Sequence, residues 1–301
     1  MNKNIKRILS FLLAIIVLTP CSSFAIERQE FILELTNINY AHEIGMTGKK
    51  IKVAIIDTNF TNLSKPNVKQ MIFTPSCGDK ITNHGDTTAQ VFKDIAKDAD
   101  VYAITCGGEW QATIEGLEWC LENNIQVINM SIGAEYLNEK YTKQMQDVLN
   151  KLDKKGAIII ASAGNYQIDT YYPALLDNVY SVSGIDCKDN ILTKSNFNLN
   201  NANWIDFVFL SDFVKVFDIN GNMNVVSGTS CAAPAIAGMF ALLKQQYPNT
   251  NKEELYNMVI ENGIKINGVN GILPVYPELN KNDFIEMSKK LFKLICKYLI
   301  K

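Results

Sequence analysis

The chain has 301 residues, of which 47% are hydrophobic and 20% are charged, and its formal net charge is −2. This balance is ordinary for a globular protein and argues against a disordered chain. The mildly acidic charge gives no support to nucleic-acid binding, so we expect no nucleic-acid partner.

Residues 1–25 have the pattern of a secretory signal peptide. Basic residues precede an apolar run over 8–18, and Ser23-Phe24-Ala25 offers a small-x-small cleavage site. Cleavage after Ala25 removes three positive charges and takes the net charge from −2 to −5. A lipid anchor at Cys21 is disfavoured, because Pro20 stands where a small residue is expected. We therefore predict a secreted or cell-envelope protein.

Residues 26–301 are predicted to form one domain, since no repeat, linker or low-complexity segment divides them. Apolar β-rich runs alternate with helical ones, which predicts an α/β fold: a three-layer, doubly wound, mostly parallel sheet with helices on both faces. We expect strands at 51–56, 100–105, 127–131, 157–161, 179–183 and 205–210. Helices are expected at 87–96, 113–123, 138–155, from Ser230 onward and at 252–261, with a hairpin turn at 220–222.

Six cysteines follow the leader: Cys77, Cys106, Cys120, Cys187, Cys231 and Cys296. An even count in an exported chain is compatible with disulfides. Cys106, Cys120 and Cys231 stand in apolar contexts, however, and are expected to be free and buried. The sequence does not decide whether Cys77 or Cys187 takes part in one disulfide bond.

A serine within a run of small residues is the first candidate for chemistry. Residues 226–238 read Val-Ser-Gly-Thr-Ser-Cys-Ala-Ala-Pro-Ala-Ile-Ala-Gly, which predicts a tight turn and then a buried helix with Ser230 at its N-terminus. Such a serine can be a plain N-cap. It can also be a nucleophile, with the helix dipole and its own N–H facing a developing oxyanion.

A nucleophilic serine needs a base and an acid. The chain has two histidines: His42 in a predicted surface helix, and His84 just before a helix with Gly85 beside it. Asp57 ends a predicted strand, and ligands gather at the carboxyl ends of strands in open α/β sheets. Taken singly, each of these residues is more often a cap or a turn former.

Together, the segments around these residues resemble the subtilisin-like serine protease family. Residues 53–58 are similar to its aspartate segment, 83–85 to its histidine segment and 226–238 to its nucleophile segment, and the order of acid, base and nucleophile is also that of subtilisin. The resemblance covers about residues 37–277.

The resemblance implies a subtilisin-like fold and a peptide or protein substrate, and we expect no cofactor. Many secreted family members have a calcium-binding loop, but the spacing from His84 to Tyr102 is short, so we expect no metal site. The resemblance assigns Ser230 as the nucleophile, His84 as the proton shuttle and Asp57 as the group that orients His84. Asn165 would donate to the oxyanion. The segments expected to bind substrate consist of Ser131, Ile132 and Gly133, and of Ala161, Ser162, Ala163 and Gly164.

Two positions depart from the family pattern. Asn59 and Asp86 replace small residues after the aspartate and histidine segments, and we expect the charge of Asp86 to raise the pKa of His84. The connection at 106–110 is short, which puts in doubt the edge strand that usually holds substrate.

The last segment, about residues 283–301, alternates apolar residues with lysines and predicts an amphipathic helix. It either docks on its own domain or contacts a membrane surface or a partner. We expect the protein to be a monomer and a secreted serine endopeptidase. The alternatives are a narrow-specificity processing peptidase for an exported peptide and an inactive peptide-binding homologue.

Overall fold

A computed structural model of the chain describes residues 30, 32–61, 68–73, 84–166, 169–186, 195–196, 205–218, 220–266 and 271–277. The predicted leader with Cys21, the C-terminal segment 283–301, and Cys77, Cys187 and Cys296 lie outside these residues. Within them, Cys106, Cys120 and Cys231 are free and buried, as the apolar contexts predict.

Strands and helices alternate along the described residues, which confirms the predicted α/β fold. The strands are β1 (Lys52–Asp57), β2 (Val68–Ile72), β3 (Asp100–Thr105), β4 (Val127–Met130), β5 (Ile158–Ser162), β6 (Tyr180–Ile185), β7 (Phe207–Leu210), β8 (Val214–Phe217), β9 (Met223–Val226), β10 (Ile264–Lys265) and β11 (Ile272–Leu273). The helices are α1 (Ile38–Glu43), α2 (His84–Ile95), α3 (Trp110–Glu122), α4 (Glu139–Lys154), α5 (Thr229–Gln246) and α6 (Lys252–Asn262). None of the helices in the described ranges is long and apolar enough to cross a lipid bilayer.

The main sheet has the strand order β10-β11-β7-β6-β5-β4-β1-β3-β2. All its neighbours pair in parallel except β10 and β11. Strands β8 and β9 form a separate antiparallel hairpin around the predicted turn. Parallel strands connected through helices require cover on both faces, which is why the central strands are apolar throughout.

The alternation of side chains along a strand divides the core into two layers. In β1, Val53 and Ile55 belong to the cluster that packs against α2 and α5, whereas Ala54 and Ile56 belong to the cluster that packs against α3 and α4. The sheet is therefore the middle layer of three, as predicted.

Helix α5 is buried along most of its length, from Cys231 to Leu243. Its small side chains allow a close approach to neighbouring elements. A Cβ atom added at Gly238 would lie 2.8 Å from the side chain of Ile95 on α2, a distance that forces a shift. The composition of this helix thus fixes α2 and α5 side by side.

Three features of the fold differ from the sequence-based expectation. Helix α2 begins at His84 and not at Thr87, so the histidine is part of the helix. Strand β2 was not predicted, and neither were the two-residue strands β10 and β11. These strands lie at the two edges of the sheet, where an incomplete apolar pattern is tolerated.

Candidate active site

The predicted acid, base and nucleophile come from three separate elements. Asp57 is the last residue of β1, His84 is the first residue of α2, and Ser230 is the second residue of α5. Because parallel strands present their carboxyl ends at one edge of the sheet, that edge is where α/β proteins bind ligands.

The acid and the base are in direct contact. The Nδ1 atom of His84 lies 2.7 Å from Oδ1 of Asp57, and the carboxylate is fully buried. The backbone N–H of Thr58 donates to Oδ1 at 2.7 Å, and the hydroxyl of Thr88 lies 3.0 Å from Oδ2. Both carboxylate oxygens therefore have donors, which offsets the cost of burying the charge.

The contact depends on a glycine beside the histidine. Gly85 donates its N–H to the carbonyl of Asn59 at 3.1 Å. A Cβ atom at this position would collide with that carbonyl oxygen and lie 2.8 Å from the ring of Phe60. Only glycine lets the start of α2 approach the loop after β1 so closely, and this approach brings His84 to Asp57.

Asp86 has a different role from the expected one. Its carboxylate accepts hydrogen bonds from the backbone N–H of Thr61 at 3.2 Å and from the Thr61 hydroxyl. It thereby fastens the loop after β1 to the first turn of α2. The expectation that Asp86 raises the pKa of His84 is wrong, because the interactions that shift this pKa are burial and Asp57.

The pKa of His84 is raised above its ordinary value of 6.5. Burial is the largest single influence and lowers the pKa, but the hydrogen bond to Asp57 and the charge of Asp57 together outweigh it. The Asp57 contact at Nδ1 also fixes the tautomer of the neutral ring, leaving Nε2 as the basic nitrogen.

The candidate nucleophile is half-buried and is not joined to the base in this structure. The Ser230 hydroxyl donates to the carbonyl of Ser131 at 3.4 Å, and no hydrogen bond within the described residues links it to His84. A rotation about the Cα–Cβ bond would move Oγ without moving the helix. Catalytic hydrogen bonds are often long or misaligned until substrate binds.

Asn165 is held with its amide in one orientation. Its Oδ1 accepts from the backbone N–H of Thr229 at 2.9 Å and lies 3.1 Å from the Thr229 hydroxyl. The other end of the amide, Nδ2, is therefore the free donor, with no hydrogen-bond partner in the described part of the chain. The N–H of Ser230, in the first turn of α5, is the second donor available there.

Most side chains of the two segments predicted to bind substrate are buried or form hydrogen bonds within the protein. The Ser131 hydroxyl donates to the carbonyl of Ser230 at 3.1 Å and accepts from Asn129 at 3.0 Å. The side chains of Ile132, Ala161, Ser162 and Ala163 are buried. What these segments can offer a substrate is backbone, above all that of Gly133, which lies outside any strand and has no hydrogen bond among the described residues.

Thr88 is a site residue that the sequence did not indicate. It lies one helical turn after His84, and residues four apart share a face of a helix. That spacing was a usable signal, because a hydroxyl at this position faces the same carboxylate as the imidazole. The Thr88 hydroxyl has one proton and two acceptors within reach, Oδ2 of Asp57 and the Gly85 carbonyl at 2.9 Å.

The comparisons with known proteins identify one protein family. A family model described as the Subtilase family matches residues 48–276. Minor extracellular protease Epr of Bacillus subtilis (strain 168) is 27% identical over 259 residues, which cover 78% of this chain and 39% of that protein. Subtilisin DY of Bacillus licheniformis is 26% identical over 239 residues, which cover 71% of this chain and 83% of that protein.

Solved structures show the same fold at lower identity. A lanthipeptide protease has a TM-score of 0.70 and 20% identity, covering 86% of this chain and 93% of that chain. The prenylagaramide maturation protease PagA has a TM-score of 0.67 and 19% identity, covering 83% and 98%. The match thus spans nearly all of these two chains but well under half of Epr.

The raised pKa of His84 is directly measurable, because the chain has only two histidines. An NMR titration of the ring Cε1–H signals, assigned with His42→Gln, should give His84 a midpoint above 6.5. In Asp57→Asn the midpoint should fall below that of the wild type, because burial remains while the charge of Asp57 is lost. An unchanged midpoint in Asp57→Asn would contradict this description of the site.

The same titration tests the contact of Thr88 with Asp57. Thr88→Val keeps the shape of the side chain but removes the donor, which concentrates negative charge next to His84 and should raise its midpoint further. Thr88→Ser keeps the hydroxyl and should leave the midpoint at the wild-type value. Equal shifts in both variants would mean that Thr88 acts through packing alone.

Proposed function

Because the chain belongs to the Subtilase family of serine proteases, we propose that it is a secreted serine endopeptidase that uses Asp57, His84 and Ser230. The observation that carries the proposal is the 2.7 Å contact between a buried carboxylate and the imidazole. Helix α5 begins beside Ser131, which follows the strand next to β1, and it presents the hydroxyl and the N–H of Ser230. A serine that only capped the helix would not require a histidine paired with a buried acid.

The geometry supports a two-step hydrolysis. In the first step Ser230 Oγ attacks the peptide carbonyl carbon while Nε2 of His84 takes the hydroxyl proton. Asp57 stabilises the imidazolium and holds its orientation. The C–N bond then breaks as His84 gives its proton to the leaving amine, and an ester on Ser230 remains.

The second step repeats this sequence with water. His84 takes a proton from a water molecule, whose oxygen attacks the ester, and the proton returns to Ser230 as the acid product leaves. In both steps negative charge develops on the carbonyl oxygen, where the Ser230 N–H and Nδ2 of Asn165 would donate.

Neutral His84 is the form that accepts a proton. Because the pKa of His84 is raised, the pH at which activity reaches half of its plateau should lie above the pH expected for an unperturbed imidazole. A profile of kcat/KM against pH measures this midpoint.

Ser230 can be tested against a serine three residues away. Ser227 is exposed, and its hydroxyl donates to Asp212 at 2.9 Å. A fluorophosphonate should label the wild type and Ser227→Ala, and both should hydrolyse peptides. Ser230→Ala should lose labelling and hydrolysis while it unfolds at the same temperature. Labelling that persists in Ser230→Ala would remove the mechanism, and an unlabelled wild type would favour an inactive homologue.

Asn165→Asp isolates the donor role of the amide. The carboxylate keeps an acceptor for the N–H and hydroxyl of Thr229, but it has no N–H to give an oxyanion. We expect kcat to fall by about 10²–10³-fold, as it does when one such donor is removed from subtilisin, with little change in KM. A kcat within threefold of the wild type would show that Asn165 does not contact the reacting carbonyl.

Export is part of the proposal and rests on the leader pattern of residues 1–25. Extracellular relatives such as Epr support it. N-terminal sequencing of the protein recovered from the medium should begin at Ile26, and a start at Met1 would refute cleavage.

A narrower function, the processing of one exported peptide, is a second candidate. The four-residue connection between β3 and α3 leaves no room for a strand that would pair with substrate at this side. The structurally similar proteins include a lanthipeptide protease and the prenylagaramide maturation protease PagA, and a maturation role for this chain is proposed by analogy with them. Cleavage of few sites in a mixed peptide library would support this candidate, and broad cleavage would exclude it.

A further inference from the structure

The half-buried side chain of Tyr171 lies against both segments expected to bind substrate. A Cβ atom placed on Gly133 would lie 3.3 Å from Cβ and 3.7 Å from Cδ2 of Tyr171. A Cβ atom placed on Gly164 would collide with Nδ2 of Asn196 and lie 3.1 Å from the same Cδ2 atom of Tyr171. The same ring atom of Tyr171 therefore lies close to two glycines from different segments.

Both segments are hydrogen-bonded to the start of helix α5, which contains Ser230. The segment that contains Gly133 reaches the nucleophile through Ser131, whose carbonyl accepts from the Ser230 hydroxyl. Gly164 reaches the same helix through its N–H, which donates to the Thr229 hydroxyl at 3.2 Å. A substrate side chain next to the scissile bond would have to enter between these two segments.

The backbone fixes the ring in this position. The N–H of Tyr171 donates to the carbonyl of Ala163 at 2.9 Å. The next residue, Tyr172, exchanges two hydrogen bonds of 3.0 Å with Ala134. The segment that carries the ring is thus bonded on both sides, and the ring cannot leave its position by a movement of the loop without breaking these bonds.

A second ring covers the first from outside. Tyr166 stacks on Tyr171 with ring centroids 5.8 Å apart and an angle of 24° between the planes. Tyr166 is 71% exposed and lies on the solvent side. It supports the position of Tyr171 but does not itself stand in front of either glycine.

We propose that Tyr171 determines specificity by restricting the substrate residue on the N-terminal side of the scissile bond to a small side chain: Gly, Ala or Ser. Glycines at two facing positions leave room that a large substrate side chain would need, and here the enzyme's own ring takes that room. This inference rests on the proposed function.

Two fluorogenic peptides that differ only in this residue, Ala or Phe, test the inference on the full chain. The wild type should cleave the Ala peptide at least about 10²-fold better in kcat/KM, the range over which a filled pocket rejects a larger group. Tyr171→Ala should raise kcat/KM for the Phe peptide by about tenfold or more and lower the preference for the Ala peptide accordingly. Tyr166→Ala is the matched control and should keep the wild-type ratio.

Labelling of Ser230 by a fluorophosphonate is measured alongside and reports folded, active sites independently of the substrate. Tyr171→Leu, which keeps an apolar side chain, gives a second variant with a smaller expected gain for the Phe peptide. Two results would overturn this inference alone. One is that the Tyr171 variants are labelled but keep the wild-type ratio of kcat/KM for the Ala and Phe peptides. The other is that the wild type cleaves both peptides equally. A wild type that neither labels nor cleaves would overturn the proposed function, and this inference with it.

Discussion

The close approach of helix α2 to the loop after strand β1 is the constraint on which the site depends. Gly85 makes this approach possible, because no other residue fits beneath the carbonyl of Asn59. Asp86 then fastens the helix to Thr61. Without this contact the buried charge of Asp57 would face no imidazole and would keep only its contacts with Thr58 and Thr88. Folding and the assembly of the acid–base pair are therefore one event.

The nucleophile is positioned by a separate set of contacts. Helix α5 is buried from Cys231 to Leu243 because it is apolar there, and its first turn is bonded to residues that follow two strands. Ser131 binds the Ser230 carbonyl, and Asn165 binds Thr229. These bonds fix the backbone of Ser230 but leave its hydroxyl able to rotate. In the proposed mechanism only Oγ of Ser230 has to change position before it reacts.

The fold could be predicted from the sequence because its signals are local, and the same signals place Asp57, His84 and Ser230 at the ends of elements. Strand β1 and helix α5 are uninterrupted apolar segments, and each of the three residues stands at an element end. The start of α2 was misplaced by three residues because His84 and Gly85 have no apolar spacing to mark them. Here a tertiary contact of Gly85 sets the helix start.

Contacts between distant segments could not be predicted in the same way. Tyr171 gave no pattern in the sequence, because its contacts near Gly133 and Gly164 form only after folding. Asp86 was assigned to His84 since they are near in sequence, yet its carboxylate bonds to Thr61 across the loop. Edge strand β2 was missed because one side of it has no partner strand to impose an apolar pattern.

The account rests on one arrangement forming when substrate binds: Asp57, His84 and Ser230 in a hydrogen-bonded line beside Asn165. A crystal structure with a peptide boronic acid, which forms a tetrahedral adduct with a nucleophilic serine, tests it most directly. The account predicts boron bonded to Ser230 Oγ and one boronate oxygen within about 3 Å of both the Ser230 N–H and Nδ2 of Asn165. An adduct with the imidazole turned away from Ser230, or no adduct while the Ser230 hydroxyl stays on the Ser131 carbonyl, would contradict it.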